Sequence, residues 1–169
     1  IRAIPTLTSN TPAASCRAAS LTLQATGSNG IVRWYSVPFG GVVLGTGNSF
    51  TTPVITTTTT YYAEVFDSGC VSATRTGIDA TIYPSINKAT TVNGFTITAT
   101  ANGVTYQWVD CNNNYQVISG ATSQSFTPTV NGNYAVILKN TNCSDTSACV
   151  PITKIGIDTK LTNQKISVA

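Results

Sequence analysis

The amino-acid sequence predicts an all-β protein made of two tandem β-sandwich modules, and three observations support this fold class. Threonine is the most frequent residue, and valine, isoleucine and tyrosine are common; β-branched and aromatic side chains favour strands over helices. Glycine, asparagine and serine recur roughly every eight to twelve residues, which is the turn spacing of sandwiches and barrels. Several landmark residues also occur twice in the same order, about 73 positions apart.

The duplication covers most of the chain. The paired landmarks are Leu21–Thr26 and Phe95–Thr100, Trp34 and Trp108, Ser49–Thr51 and Ser125–Thr127, Tyr62-Ala63 and Tyr134-Ala135, and Cys70 and Cys143. Their offsets stay between 72 and 76 residues. Tyr83-Pro84 is the expected junction, because proline cannot donate to a strand ladder. We therefore predict one module at residues 1–83, a second at 84–153 and a C-terminal hinge or linker segment at 154–169.

Each copy carries one tryptophan on its third strand and one tyrosine on its sixth. Two stacked sheets leave a gap of about 10 Å, which a tryptophan fills. This arrangement is typical of an immunoglobulin-like sandwich, so the prediction becomes two tandem immunoglobulin-like β-sandwiches. The predicted core residues are Trp34, Trp108, Tyr62 and Tyr134. The alternative for the tryptophans is a pair of platforms on which sugar rings stack.

The charge pattern argues against several classes of function. Charged residues make up 9% of the chain and the net charge is +3, without the dense basic face that nucleic-acid binding needs. No apolar run approaches the roughly 18 residues of a membrane span. Histidine, the usual general base and zinc ligand, is absent. Asp110 with Asn112–Asn114 suggests either a calcium site or, preferably, an asparagine-rich turn. We expect no enzyme, cofactor or metal.

Five cysteines in a chain this poor in charge suggest an oxidising compartment. Cys16 and Cys70 flank one end of the first sandwich, and we expect them to be bonded. Cys143 and Cys149 flank the last hairpin and are expected to pair, which leaves Cys111 as a free or interchain thiol, or as an internally paired one if the strand order or register differs from this interpretation. A bond between Cys111 and Cys149 would cross a strand over about 10 Å, beyond the ~7 Å limit between Cα atoms, unless the strand ends bend.

The motifs of the second copy resemble a known family of modules. They are Trp108–Cys111, Ile118–Thr127, Asn131–Val136 and Cys143–Cys149. They look like the immunoglobulin-like repeats of secreted and cell-surface proteins that Bacteroidetes-type bacteria export through the type IX system. The first copy, with Cys16 and with Thr60–Ala63 before Cys70, resembles the sister repeat.

The C-terminal segments Ile155–Asp158 and Lys165–Val168 resemble the hinge before that system's C-terminal sorting domain. The resemblance implies an extracellular or cell-surface location. It does not imply one function, because such repeats occur in adhesins, enzyme stalks and fibres alike.

Three functions are consistent with this sequence. The first is a non-catalytic stalk or adhesin repeat that contacts neighbouring modules. The second is a fibre subunit that joins identical subunits through strand addition by Ile1, Ala3 and Leu7, with Cys111 available for an interchain bond. The third is a carbohydrate-binding module that contacts surface glycans through Tyr61 and Tyr115.

Overall fold

The computed structural model describes residues 3–153 as an almost entirely β-stranded chain. The chain divides into two compact units, Ile1–Ser85 and Ile86–Ala169. This division lies two residues beyond the expected one between residues 83 and 84. Residues 154–169, expected to form the hinge, lie outside the described residues.

The first unit is built from two sheets. Its described strands are β1 (Leu7–Thr11), β2 (Ala13–Ser15), β3 (Thr22–Gly27), β4 (Ile31–Tyr35), β5 (Gly45–Thr46), β6 (Ser49–Thr51), β7 (Thr59–Asp67), β8 (Cys70–Val71) and β9 (Thr76–Ile82). One sheet has the order β1-β3-β6, and the other has the order β2-β9-β7-β4-β5, with β8 paired to β7. The β2–β9 pair is parallel, whereas the other pairs of these sheets are antiparallel.

Alternation of apolar and polar side chains explains why the two sheets stack. In β3, Leu23 and Ala25 are buried while Thr22 and Gln24 are exposed, which is the pattern of a strand with one face on a core. The turn that follows depends on Gly30, whose φ is +90°. A Cβ atom at this position would collide with the carbonyl oxygen of Phe66, so the turn requires glycine.

A trio of aromatic rings fills the first core. Trp34 is fully buried and stacks on Phe50 at 5.5 Å between ring centroids, and Phe50 contacts Tyr61 at 5.1 Å. The indole Nε1 of Trp34 donates to the carbonyl of Gly47 at 2.9 Å. Aromatic pairs at these separations stabilise a core beyond the area that they bury.

The second unit repeats this plan. Its described strands are β10 (Thr90–Asn93), β11 (Thr96–Ala99), β12 (Thr105–Asp110), β13 (Gln116–Val117), β14 (Ser125–Phe126), β15 (Gly132–Lys139), β16 (Ser144–Thr146) and β17 (Val150–Ile152), with a 3₁₀ turn at Cys111–Asn113. One sheet has the order β10-β11-β14, and the other has the order β13-β12-β15-β16, with β17 also paired to β15.

The second core contains the same aromatic trio. Trp108 is fully buried and stacks on Phe126 at 5.4 Å between centroids. Phe126 meets the edge of Tyr134 at 5.4 Å, and the indole of Trp108 donates to the carbonyl of Ser123 at 2.8 Å. The two units therefore share one core arrangement, and the all-β prediction is confirmed.

One predicted core residue, Tyr62, is wrong by a single position. Trp34 pairs with Ala63 and Trp108 pairs with Val136, so the offset between the copies in this strand is 73 residues. The partner of Tyr134 is therefore Tyr61, which is only 6% exposed. A slip of one residue moves a side chain to the opposite face of a sheet. Tyr62 accordingly lies on the outer face, and Tyr61 belongs to the core, contrary to its expected place on the surface.

Candidate functional site

The outer face of β4 and β7 carries a buried cluster that holds the neighbouring loop. Both oxygens of the Glu64 carboxylate are engaged: Oε1 accepts from the Tyr35 hydroxyl at 2.5 Å, and Oε2 accepts from Arg75 Nε at 3.1 Å. The side chains of Arg75 and Glu64 are 12% and 10% exposed. Because a carboxylate this desolvated needs its partners, these contacts stabilise the outer face of the sheet.

Arg75 links this cluster to the chain that follows β4. Its guanidinium lies 3.2 Å from the centroid of the Tyr35 ring, a cation–π contact. Its Nη1 donates to the carbonyls of Val37 at 3.0 Å and Gly40 at 2.6 Å. Burial of Tyr35, followed by its hydrogen bond to Glu64, raises the pKa of this phenol. The hydroxyl therefore stays protonated and keeps donating to Glu64.

The held segment is an apolar loop, residues 37–44, between β4 and β5. Every residue of the loop is exposed, and none of them is charged. Phe39 is 84% exposed and Val42 is 76% exposed. Gly40 and Gly41 have φ values of +63° and +75°, which is the left-handed region that glycine tolerates. Since Arg75 fixes two carbonyls of the loop, Phe39 is presented on an anchored turn.

A groove of ≈ 580 Å³ adjoins the apolar loop. It is lined by Ser36, Leu44, Phe50, Thr51, Thr52, Pro53 and Tyr61. Two of its lining residues connect it to the loop, because Ser36 precedes the loop and Leu44 is the loop's last residue. Val54, next to Pro53, is 68% exposed. We call the apolar loop, the groove and Val54 together the apolar surface of the first unit.

The equivalent region of the second unit has a different chemistry. Its groove is smaller, at ≈ 180 Å³, and includes Asp110. The segment after β12 is polar and turns back sharply: the Asp110 side chain caps the 3₁₀ turn by accepting from the Asn112 amide at 2.9 Å. Asn112 Oδ1 in turn accepts from the backbone and side-chain nitrogens of Asn133. The Asp110 and Asn112 oxygens therefore stabilise an asparagine-rich turn, which is the interpretation that the sequence favoured over a calcium site.

Residues 3–84 match the model of a protein family described as Ig-like domain CHU_C associated. The first unit belongs to this family. For this unit, the assignment confirms the resemblance to the immunoglobulin-like repeats of exported Bacteroidetes-type proteins. The match ends one residue before the division between the two units. No curated protein matches the chain.

The disulfide of the second Ig-like unit corrects the predicted pairing. Cys111 is bonded to Cys149, with 6.3 Å between their Cα atoms, so Cys149 does not pair with Cys143 and Cys111 is not a spare thiol. The strand end bends, as this bond requires. The 3₁₀ turn at Cys111–Asn113 crosses the start of β15, where Asn112 contacts Asn133, and so reaches the chain beside β17.

The predicted bond between Cys16 and Cys70 is also wrong, because Cys70 is a free thiol. Cys16 follows β2, whose Ser15 pairs with Ile82 near the start of β7. Cys70 pairs with Asp67 at the other end of β7. Eight residue steps of strand separate these ends by about 26 Å, far beyond disulfide reach. Neither Cys16 nor Cys143 is a free thiol.

The remaining predicted residues are dispersed. Leu7 begins β1, pairs with Gly27 and packs against its own core; Ala3 is exposed ahead of that strand. Ile1 lies outside the described residues. Tyr115 is exposed, and its hydroxyl is 3.5 Å from Cys149 Sγ. Of the described residues proposed for strand addition, Leu7 is thus engaged within its own unit, and of the two tyrosines only Tyr115 is exposed.

Sequence reasoning did not find the Tyr35–Glu64–Arg75 cluster. The one signal for it is Glu64 itself, a carboxylate inside the otherwise apolar and aromatic centre of β7, since buried charges are normally paired. Within residues 3–153, no group of three or more His, Cys, Asp or Glu side chains could hold a metal ion. The same part of the chain has no helix long and apolar enough to cross a membrane.

Proposed function

We propose that the chain is a non-catalytic structural or adhesive part of an exported bacterial surface protein, acting in a stalk or adhesin. The Ig-like family of its first unit suggests a structural or adhesive module. The observation that supports this most is the Tyr35–Glu64–Arg75 cluster on the outer face of β4 and β7. The polar atoms of this cluster bind one another and hold an apolar loop in place.

An extracellular location fits the second unit. The Cys111–Cys149 bond closes a loop in a protein whose disulfides would be reduced in a typical cytosol. The first unit's family and this bond together support export to the cell surface. A stalk outside the cell needs units that keep their fold without chaperones, and a crosslink combined with aromatic packing supplies that stability.

Beads coated with the whole chain test the adhesive role. We expect them to bind envelopes of the source bacterium or to bind each other. Beads coated with an unrelated β-sandwich of similar size and charge should do neither. Beads that stay dispersed and bind no envelope would contradict an adhesive role, and only the role of a spacer in a stalk would remain. Turnover of a substrate by the purified chain would contradict the proposal as a whole.

The fibre alternative has one specific observation in its favour. β1 is an edge strand held to its own unit by β3, and its Leu7 packs against the core; such an edge element can be exchanged between copies. Negative-stain images of purified native material separate the two functions. Filaments with a regular repeat support the fibre, whereas separate particles support the stalk or adhesin.

A further inference from the structure

We propose that the apolar surface of the first unit docks onto the same surface of a second copy of this chain, as a two-fold pair in which each Phe39 enters the partner's groove. This inference rests on the proposed structural or adhesive role and names the partner for it. It starts from the apolar loop, whose exposed side chains differ from the scattered single apolar residues that are normal on protein surfaces.

The loop is held in the conformation that presents Phe39. Arg75 donates to the carbonyls of Val37 and Gly40 and is itself fixed by Glu64 and by the Tyr35 ring. A preorganised loop loses little conformational freedom on binding. An aromatic side chain on such a loop is the kind of anchor that dominates interface energetics.

The position of the groove points to a two-fold arrangement. Leu44 belongs both to the loop and to the groove wall, so the loop runs directly into the edge of the groove. A surface that carries a protrusion beside a matching cavity is self-complementary under a two-fold axis. At ≈ 580 Å³ the groove has ample space for a phenylalanine ring, and none of its lining residues is charged.

The available area and charge also fit a second copy. Phe39, Val42 and Val54 are 84%, 76% and 68% exposed, and large exposed apolar patches usually mark interaction sites. A specific stable pair must bury at least about 1,200 Å² in total, so each copy would have to contribute roughly half of this area from the loop, the groove rim and Val54. No residue of the loop, of the groove lining or at Val54 is charged, so two identical surfaces meet without like-charge repulsion.

Sedimentation velocity of the whole chain tests the pairing. The Cys70→Ser background is used throughout, so that the free thiol cannot link copies covalently. We expect a concentration-dependent dimer whose dissociation constant rises at least about tenfold with Phe39→Ser. Phe39 is 84% exposed, so this variant should fold normally. Val130→Ser, at a 63% exposed apolar residue of the second unit, is the matched control and should not change the dimer.

Mixing two variants tests the two-fold geometry itself. Pro53→Lys places a charge on the groove wall and should also weaken self-association. A mixture of Phe39→Ser and Pro53→Lys copies retains one intact ring and one intact groove, so it should form heterodimers more readily than either variant forms homodimers. A monomeric parent chain, or a Phe39→Ser chain that dimerises like its parent, would overturn the inference while leaving the proposed role standing. If the mixture associated as weakly as each variant does alone, the two-fold arrangement would be wrong.

Discussion

At the scale of single residues, Arg75 connects the fold to its exposed surface. The same guanidinium neutralises a buried carboxylate, covers an aromatic ring and fixes the turn of the apolar loop. Lysine could not replace it, because one ammonium group lacks the planar array of donors that reaches Glu64 and two carbonyls together. The chemistry of the cluster thus serves the presentation of Phe39.

We expect Arg75→Met to destabilise the first unit by about 3–5 kcal/mol, because it leaves the Glu64 carboxylate buried without its cation. The double variant Arg75→Met with Glu64→Gln should recover a substantial part of this loss, since the uncompensated charge is gone. Urea unfolding measures both changes, and the transition of the second unit serves as an internal control. If the double variant were as unstable as the sum of the single variants, the two side chains would not be coupled.

The two tyrosines with raised pKa values predict a loss of stability at alkaline pH. Burial is the main cause for Tyr35 and for Tyr134, followed by Glu64 and Asp110 respectively. A pKa that is higher in the folded state means that folding favours the protonated phenol. The stabilisation is therefore complete below about pH 10, the ordinary tyrosine pKa, and is lost as the pH rises through the folded-state values.

Tyr35→Phe should remove the first unit's share of this alkaline loss. The variant also leaves Glu64 Oε1 without its phenol donor, so we expect it to cost about 1–3 kcal/mol at neutral pH. Thermal unfolding at several pH values between 8 and 11 measures both effects. If the stability of the first unit depended on pH in Tyr35→Phe as it does in the parent chain, the Tyr35 phenol would not be the group whose ionisation destabilises this unit.

At the scale of strands and turns, the sequence predicts what depends on alternation and misses what depends on strand order. Alternating side chains in β3 and the tryptophans of β4 and β12 are local patterns, so the all-β class and the duplicated core could be derived. The Tyr62 error arose because two adjacent tyrosines fit the repeat, and only strand pairing decides between them. The cysteine errors arose because pairing depends on which strand ends meet in space.

The bent end of β12 gives the second unit a crosslink that spans 38 residues in sequence. Closing a loop of this length restricts the unfolded chain by about 4 kcal/mol in the chain-entropy model. We expect the double variant Cys111→Ser with Cys149→Ser to destabilise the second unit by up to that amount and to leave the first unit unchanged, as followed by calorimetry. Cys70→Ser, at the free thiol, is the matched control. An equal effect of both variants would contradict a specific role for the crosslink.

At the scale of the whole molecule, the two units repeat one architecture with different surfaces. Both are held by the trio of tryptophan, phenylalanine and tyrosine. The first adds an anchored apolar loop, whereas the second replaces it with a polar turn tied down by a disulfide. Such divergence is expected when a duplicated scaffold keeps its core and one copy acquires a contact surface, because core packing constrains sequence more than exposed loops do.

The low charge of the chain predicts how its self-association responds to salt. With 9% charged residues and a net charge of +3, association through an uncharged surface should change little as sodium chloride rises from roughly 0.05 to 0.5 M, although screening is strong over this range. Ammonium sulfate should strengthen it, because excluded salts favour apolar burial. Sedimentation of the parent chain in both salts measures the strength of self-association. Phe39→Ser is the control, and ammonium sulfate should strengthen its self-association less. Dissociation of the dimer by sodium chloride would indicate an ionic interface instead, at some other surface than the apolar loop.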